Sequence, residues 1–347
     1  MSRKILFSGF NMYKGGSKAI LMEMLAVHEC DESITFLIPN SLRSNILSRY
    51  IDYLFIPYPI SMLNSIYRLL VEHLFVPLLA MLFRVDRVVM LGNFPALFSF
   101  REQYVLFHNL LYIDDVKSQT TSNLLFKFEK LLFKALVLIK SPVMCVQTET
   151  VGRLLQSYFN GKCKILIVGT ALDYDNELRS VDVNCKTLNE FFYPAFYYPH
   201  KNHSLLFSYN NILRDFGYKV SLTLDPIVTD FCNANIESFV FLGELTATEV
   251  TNLYSRHKAL LFFSQTESLG LPLLEAASSN IPIIAPNLDY VRSVLKSNSF
   301  YSFDLHNPAS FRAALLNYQN DKNQGTLLQP VLVIDVNRDS FFNRFVK

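Results

Sequence analysis

The sequence lacks a charge bias: 32 Lys and Arg stand against 30 Asp and Glu, a net charge of +2. No cation cluster gives the basic stripe with which nucleic-acid binders hold phosphate backbones. Cysteine chemistry is equally sparse. Cys30, Cys145, Cys163, Cys185 and Cys232 are odd in number, scattered and without metal-ligand spacing. Neither a disulfide framework nor a zinc site is expected, and a reduced cytoplasm suits such thiols. The longest apolar stretch, Met62 to Phe83, is broken by Arg68, Glu72, His73 and Pro77. A membrane span needs about 20 largely uncharged residues, so no transmembrane helix is expected there. Arg3-Lys-Ile-Leu-Phe7 leads straight into a strand and glycine loop, leaving no visible signal peptide. Short repeats and low-complexity segments are absent. So is G-x-G-x-x-G, which disfavours a dinucleotide oxidoreductase.

What is present is core-forming material. Half of the residues are hydrophobic, Phe numbers 30 and mean hydropathy is +0.21. Such apolarity fits either a chain resting on a membrane or two parallel sheets thickly covered by helices. Strand-like runs alternate with helical ones, which argues for an α/β architecture with parallel sheets. In the first half, strands are expected at 4–10, 35–39, 88–91, 104–107, 144–148 and 164–168, with a helix from about Ser17. A polar, aperiodic stretch from Gly169 to Glu190 reads as a connection. The cycle then restarts, with strands at 190–193, 220–224, 239–242, 259–264 and 282–285. At this length two domains are natural. We place them at 1–172 and 173–330, with the segment 331–347 returning to the first domain.

The most informative stretch is Glu267-Ser-Leu-Gly-Leu-Pro-Leu-Leu-Glu275. A buried strand, Lys258 to Ser264, precedes it. A helix follows from Leu271, with Pro272 in the first turn, where a missing N–H costs nothing. Gly270 then lies at the strand-to-helix turn. Helix N-terminal amides carry partial positive charge and suit a phosphate or a polar sugar edge. Glu267 sits in the loop beside them. Glu275 lies about one turn into the helix and can accept hydrogen bonds from a diol such as a ribose.

This arrangement resembles the E-x7-E element of the retaining glycosyltransferases of family 4, which have the GT-B fold. Phe241-Leu-Gly-Glu244, Leu253-Tyr254, Leu261-Phe-Phe-Ser264 and Ile281-Pro-Ile-Ile-Ala-Pro286 extend the likeness, continuous from about Phe191 to Leu295. The resemblance implies two Rossmann-like parallel-sheet domains facing each other across a cleft. It also implies that Glu275 holds a donor ribose, while Glu267, Ser268, Leu269, Gly270 and Leu271 meet the transferred sugar and the phosphates. Lys201, in His200-Lys-Asn-His203 after a strand, resembles the family's phosphate-binding lysine. Gly15 and Gly16 stand where relatives carry a glycine loop near the donor phosphates. His108, ending the strand 104–107, stands where a family histidine touches the donor sugar. Asn109 is a possible neighbour of it, and Asp114 and Asp115 are candidates for acceptor contacts only.

The chain departs from the family where Ala195-Phe-Tyr-Tyr198 stands and relatives often have an arginine upstream of the lysine, and again at Val291-Arg-Ser293 after Tyr290, where many relatives carry an acid. Either another cation substitutes, with Lys201 carrying more of the diphosphate charge, or activity is weak; no metal and no cofactor are expected. The activity implied is transfer of a hexose from a UDP- or GDP-linked sugar to a growing glycan. By analogy with bacterial O-antigen, capsule and lipopolysaccharide transferases, the acceptor is expected to be polyprenyl-linked, at the inner face of the cytoplasmic membrane. Leu124 to Lys140, with four lysines among Phe and Leu, fits an interfacial helix on anionic lipid or an ordinary packed helix with a basic face. Two other readings stay open. One is a non-catalytic sugar-nucleotide-binding subunit that scaffolds a partner; the other is an epimerase, whose several site acids and histidines have no counterpart that can be placed.

Overall fold

The computed structural model describes residues 3–13, 15–27, 33–45, 52–56, 64–113, 124–170, 188–225, 236–334 and 336–346. The chain divides into two compact units, Met1–Asp173 with Asp335–Lys347, and Tyr174–Ile334.

The first unit is a seven-stranded parallel sheet: β1 (Ile5–Ser8), β2 (Ile34–Pro39), β3 (Asp52–Ile56), β4 (Arg87–Met90), β5 (Glu102–Leu106), β6 (Val143–Val146) and β7 (Lys164–Ile167). Their order is β3-β2-β1-β4-β5-β6-β7. The helices are α1 (Gly15–Val27), α2 (Asn64–Leu70), α3 (Val76–Leu82), α4 (Leu124–Lys140) and α5 (Glu149–Tyr158), with one π turn, Val71–Phe75, between α2 and α3. Side chains alternate across a strand, so β1 divides its apolar residues between two layers. Leu6 faces a core shared with Val71, Leu79, Phe133 and Leu136. Phe7 points the other way, stacking on Phe342 at 5.6 Å and edge-on to Phe345 at 6.2 Å.

Those two rings come from α12 (Arg338–Val346), the last helix, which packs on the first unit. Arg87, only 1% exposed, anchors it by donating to the Phe345 carbonyl at 2.6 Å. Its charge is met by Glu102 at 3.0 Å and by the Tyr104 ring at 4.2 Å. A buried guanidinium held by an ion pair, a carbonyl and a π face has little reason to leave.

The second unit is a six-stranded parallel sheet of β8 (Glu190–Tyr193), β9 (Lys219–Leu222), β10 (Phe239–Phe241), β11 (Ala259–Leu261), β12 (Ile283–Pro286) and β13 (Tyr301–Phe303). Its order is β10-β9-β8-β11-β12-β13. It is covered by α6 (His203–Ser208), α7 (Asn210–Asp215), α8 (Ala247–Arg256), α9 (Leu271–Ser278), α10 (Asp289–Arg292) and α11 (Pro308–Gln324). β3 and β13 were not anticipated from the sequence. Both are short edge strands, and a few residues give periodicity little to work on. Cys145 and Cys163 are buried free thiols; the other three cysteines, Lys14, Asp114 and Asp115 lie outside the described residues. Among the described residues no helix is long and apolar enough to cross a membrane.

Candidate active site

In open α/β sheets, ligands bind beyond the carboxyl ends of the strands where the strand order reverses. In the second unit that reversal lies between β8 and β11. The loop after β8 carries His200 and Lys201; the loop after β11 carries Ser264 to Glu267. The two loops are tied together. The His200 carbonyl accepts from the Gln265 N–H at 2.7 Å and from the Ser264 hydroxyl at 3.2 Å, and the Asn202 amide donates to the Phe263 carbonyl at 3.3 Å. From below, the buried Tyr193 hydroxyl donates to the Lys201 carbonyl at 2.7 Å. Asn202, in the left-handed region at φ 53°, ends the single turn Pro199–Lys201. The result is an ion pair between Lys201 Nζ and Glu267 Oε1, side chains 15% and 13% exposed.

This pair shapes its surroundings. Burial lowers the His200 imidazole below its ordinary range, while Glu267 pulls it up and Lys201 pushes it down. Burial, joined by the Glu267 charge, holds the Tyr193 and Tyr290 phenols well above their usual value, so both remain donors. His203 is different. It is 2% exposed, stacks on Tyr193 at 5.1 Å and is lowered to about 3, first by burial and then by Lys201 and His200. A neutral ring packed in that way serves structure.

Gly270 caps α9 at φ 70° and ψ 60°, a left-handed conformation that costs L-residues other than glycine. A Cβ there would meet Leu273 Cδ1 at 3.1 Å and lie 3.9 Å from Glu267 Cβ. Pro272 has no N–H, and the Leu273 N–H is used by the Gly270 carbonyl at 2.8 Å. Among the described residues the N–H groups of Gly270 and Leu271 carry no hydrogen bond, beside Glu267 and at a helix N-terminus. Leu269 is 3% exposed, so only its backbone can meet a ligand; Ser268 is partly exposed. Glu275 Oε2 accepts from the Tyr254 hydroxyl at 2.7 Å. Tyr254 is fully buried on α8, edge-on to Phe192 at 5.2 Å, so it fixes the carboxylate's orientation. α8 itself starts with a capping box, Thr246 and Glu249.

The first unit's sheet reverses between β1 and β4, and its remaining candidates cluster beyond the carboxyl ends of its strands. Gly15 starts α1 at φ 60°, with Gly16 next to it. After β5, the His108 and Asn109 N–H groups both donate to Asn93 Oδ1, at 2.8 and 3.0 Å, and Asn93 Nδ2 lies 3.3 Å from His108 Nε2. Burial lowers His108 to about 4, against a weaker upward pull from the Leu106 carbonyl. The ring is therefore neutral at pH 7. Asn93 itself sits at φ 75°, the left-handed position that asparagine tolerates. Next to it Glu72, 1% exposed on the π turn, accepts from the Asn11 amide at 3.2 Å; a Cβ on Gly92 would lie 2.8 Å from its carboxylate. Burial raises Glu72 to about 8, with Arg68 opposing and Glu129 adding to the rise.

Lys201, Glu267 and the Gly270–Leu271 amides thus come together, and Glu275 follows on the same helix. Gly15, Gly16 and His108 belong to the other unit. Sequence reasoning missed Asn93, Glu72 and Tyr254 as supporting residues. Gly92-Asn93 after a strand was a legible turn signal; the reach of Glu72 and Tyr254 was not. The chain also holds one Asp-x-Asp spacing, Asp173-Tyr-Asp175, in the polar connection outside the described residues.

Comparison with known proteins adds a partial family match and the fold. Residues 233–326 match the family model "Glycosyl transferases group 1". The O-antigen chain mannosyltransferase RfbU of Salmonella typhimurium is 31% identical over 112 residues, 30% of this chain and 31% of that protein. The match thus spans about a third of that curated relative's length. Over 99% of the chain the structure is similar to sucrose-phosphate synthase from Thermosynechococcus elongatus, with a TM-score of 0.70, 10% identity and 94% of that chain covered. WaaG, a glycosyltransferase involved in lipopolysaccharide biosynthesis, gives a TM-score of 0.61 at 12% identity, covering 93% of this chain and 92% of that one. The chain therefore has the GT-B fold, and part of its second unit is similar to the glycosyl transferases group 1 family.

Proposed function

We propose that this protein is a retaining, metal-independent hexosyltransferase of family 4. It moves a hexose from a UDP- or GDP-linked sugar to a growing, lipid-linked cell-surface polysaccharide at the inner face of the cytoplasmic membrane. The observation that carries the reading is the meeting of Lys201 and Glu267 at the second unit's strand reversal, beside the unbonded amides of Gly270 and Leu271. A fixed cation and oriented N–H groups lower a barrier when they face charge that grows in the transition state. Here the charge grows on the departing diphosphate as the bond from the sugar C1 to the phosphate oxygen breaks. Lys201 leaves Glu267 for that oxygen, and Glu267 is released to accept from a sugar hydroxyl. The acceptor oxygen bonds to C1 on the same face, and its proton passes to the departing phosphate. Glu275, oriented by Tyr254, accepts from the ribose diol. From the first unit, Gly15 and Gly16 meet phosphate, and neutral His108 hydrogen-bonds the donor sugar without adding charge.

The curated relative's name concerns mannosyl transfer to an O-antigen chain, which makes mannose the first donor to try. The test is purified protein with labelled UDP- and GDP-hexoses and a polyprenyl-linked oligosaccharide acceptor, with and without excess EDTA. Acceptor-dependent release of nucleoside diphosphate, with an α-linked product from an α-donor, is expected in both arms. Loss of transfer in EDTA overturns metal independence and turns attention to Asp173 and Asp175. Donor binding with no transfer or hydrolysis on any acceptor favours the scaffold subunit instead.

A further inference from the structure

The first unit exposes apolar side chains where a water-facing helix normally places polar ones. On α4 the buried residues Glu129, Phe133, Leu136 and Val137 mark the face turned to the sheet. Leu124, Phe128, Leu131, Leu138 and Ile139 lie on the opposite side at helical spacing, with Leu124 80% and Ile139 69% exposed. Lys127 and Lys134 are exposed along one flank of that stripe, with partly buried Lys130 between them. α2, the π turn and α3 repeat the pattern, exposing Leu70, Leu74, Leu78, Met81 and Leu82 while Val71, Val76 and Leu79 are buried. Between β4 and β5, Phe98 and Phe100 are also exposed, the latter by 89%.

These three segments share one side of the first unit. The inward faces of the π turn, α3 and α4 belong to a single apolar cluster on one face of the sheet. Arg68 on α2 bridges to Glu129 on α4 at 2.9 Å. The His73 ring accepts from the Leu97 N–H at 3.2 Å, and Lys140 Nζ lies 5.4 Å from the Phe100 ring centre, which fixes the loop against both helices. Their outward faces therefore point the same way. Monomeric soluble proteins rarely expose large contiguous apolar patches to water.

We infer that this face docks the chain flat onto an anionic phospholipid bilayer, with Leu, Phe and Ile side chains in the acyl boundary and lysines at the headgroups. Charge chooses the occupant. α4 carries Lys127, Lys130, Lys134 and Lys140, and its Glu129 is buried, as is Glu72 on the π turn; exposed Arg84 and Arg101 follow Phe83 and Phe100, offset by exposed Asp86 and Glu102. An apolar stripe flanked by lysines matches the two layers of a lipid interface, and each lysine near an anionic surface strengthens binding about fivefold. The inference deepens the proposed function, since it names how the chain reaches a lipid-linked acceptor.

The test is co-sedimentation of the full chain with vesicles of phosphatidylcholine alone or with 30% phosphatidylglycerol, in low and high salt. Wild type is expected to bind the anionic vesicles at least tenfold more tightly, and less so in high salt. Leu131→Asp with Ile139→Asp should abolish binding, and Lys127→Gln with Lys134→Gln should weaken it about 25-fold. Both sites are exposed, and an unchanged melting temperature verifies the fold. Equal binding to neutral vesicles, or wild-type binding by the Asp variant, overturns the inference. So does a dimer in sedimentation that the Asp variant dissolves while vesicles are ignored, because the face would then be a self-association surface. Hexose transfer to a water-soluble acceptor separates the two readings. If transfer persists without vesicle binding, docking alone is wrong; if vesicles bind and transfer fails, the enzymatic reading is wrong.

Discussion

Replacing Lys201 by Met should destabilise the second unit by about 2 kcal/mol, because it leaves the Glu267 carboxylate with a shortfall of both solvent and partner. The magnitude follows from burial. Fully buried ion pairs cost about 3–5 kcal/mol to break from one side, and exposed pairs about 0–1; side chains 15% and 13% exposed lie between. For a unit of this size that corresponds to a fall of about 6 °C in melting temperature. Glu267→Leu should cost a similar amount by stranding the ammonium. The double variant should cost about 1 kcal/mol, well short of the sum, because two neighbouring apolar side chains replace two neighbouring charges. Chemical denaturation of the four proteins measures the cycle. Donor affinity follows a different pattern: all three variants should lose the thermal shift given by a nucleotide sugar. Additivity of the two single costs within about 0.5 kcal/mol would falsify the ion pair as a structural element. Retention of the donor shift by Lys201→Met would remove that lysine from the binding site.

Three further outcomes are expected. Glu275→Ala should abolish the nucleotide-induced thermal shift while the protein still folds, at a cost of about 1 kcal/mol for the stranded Tyr254 hydroxyl, and Tyr254→Phe should weaken nucleotide binding about tenfold by freeing the carboxylate; an unchanged shift in both excludes a ribose contact. Gly270→Ala should cost about 1–2 kcal/mol from its left-handed backbone, with lowered donor affinity as the helix end moves; a neutral melt with unchanged affinity refutes this. Glu72 gives a pH signature. Its folded value of about 8 stands above the ordinary 4.5, so the folded state holds the proton more tightly and stability falls as pH rises through that window. His73, His108 and His203, all lowered, act with the opposite sign below pH 6.5, losing stability as pH falls. Between pH 6.5 and 8, wild type should therefore lose stability relative to Glu72→Gln by on the order of 1 kcal/mol per pH unit, and parallel melting curves across that range would sink the assignment.

Much of the fold was legible because its signals are local. Apolar runs such as Ile5–Ser8 and Ala259–Leu261 are buried on both faces and flanked by turn residues, so they read as parallel strands from the chain alone. The helix after Gly270 was equally plain, since Pro272 and two alanines fix its start and its course. Within Met62 to Phe83, Ile66, Leu69, Leu70 and Leu74 fall at the spacing of one amphipathic helix, but a π turn at Val71–Phe75 interrupts it. One added residue per turn rotates the following face, and periodicity counted at 3.6 residues cannot register that. The same turn carries Glu72 inward toward Asn11 and Gly92.

By itself, the sequence determined the strand-helix alternation, the carboxylates at either end of the 267–275 turn and the glycine at the turn between them. Each rests on propensity or steric limits within a few residues. Only tertiary structure decided that Lys201 would meet Glu267, 66 positions away, because that depends on β8 lying beside β11 at the strand reversal. It alone gave Glu275 its tyrosine and gathered two helices and a loop into one apolar face. A residue pattern specifies which side of an element avoids water; which neighbour covers that side is set by how whole elements pack.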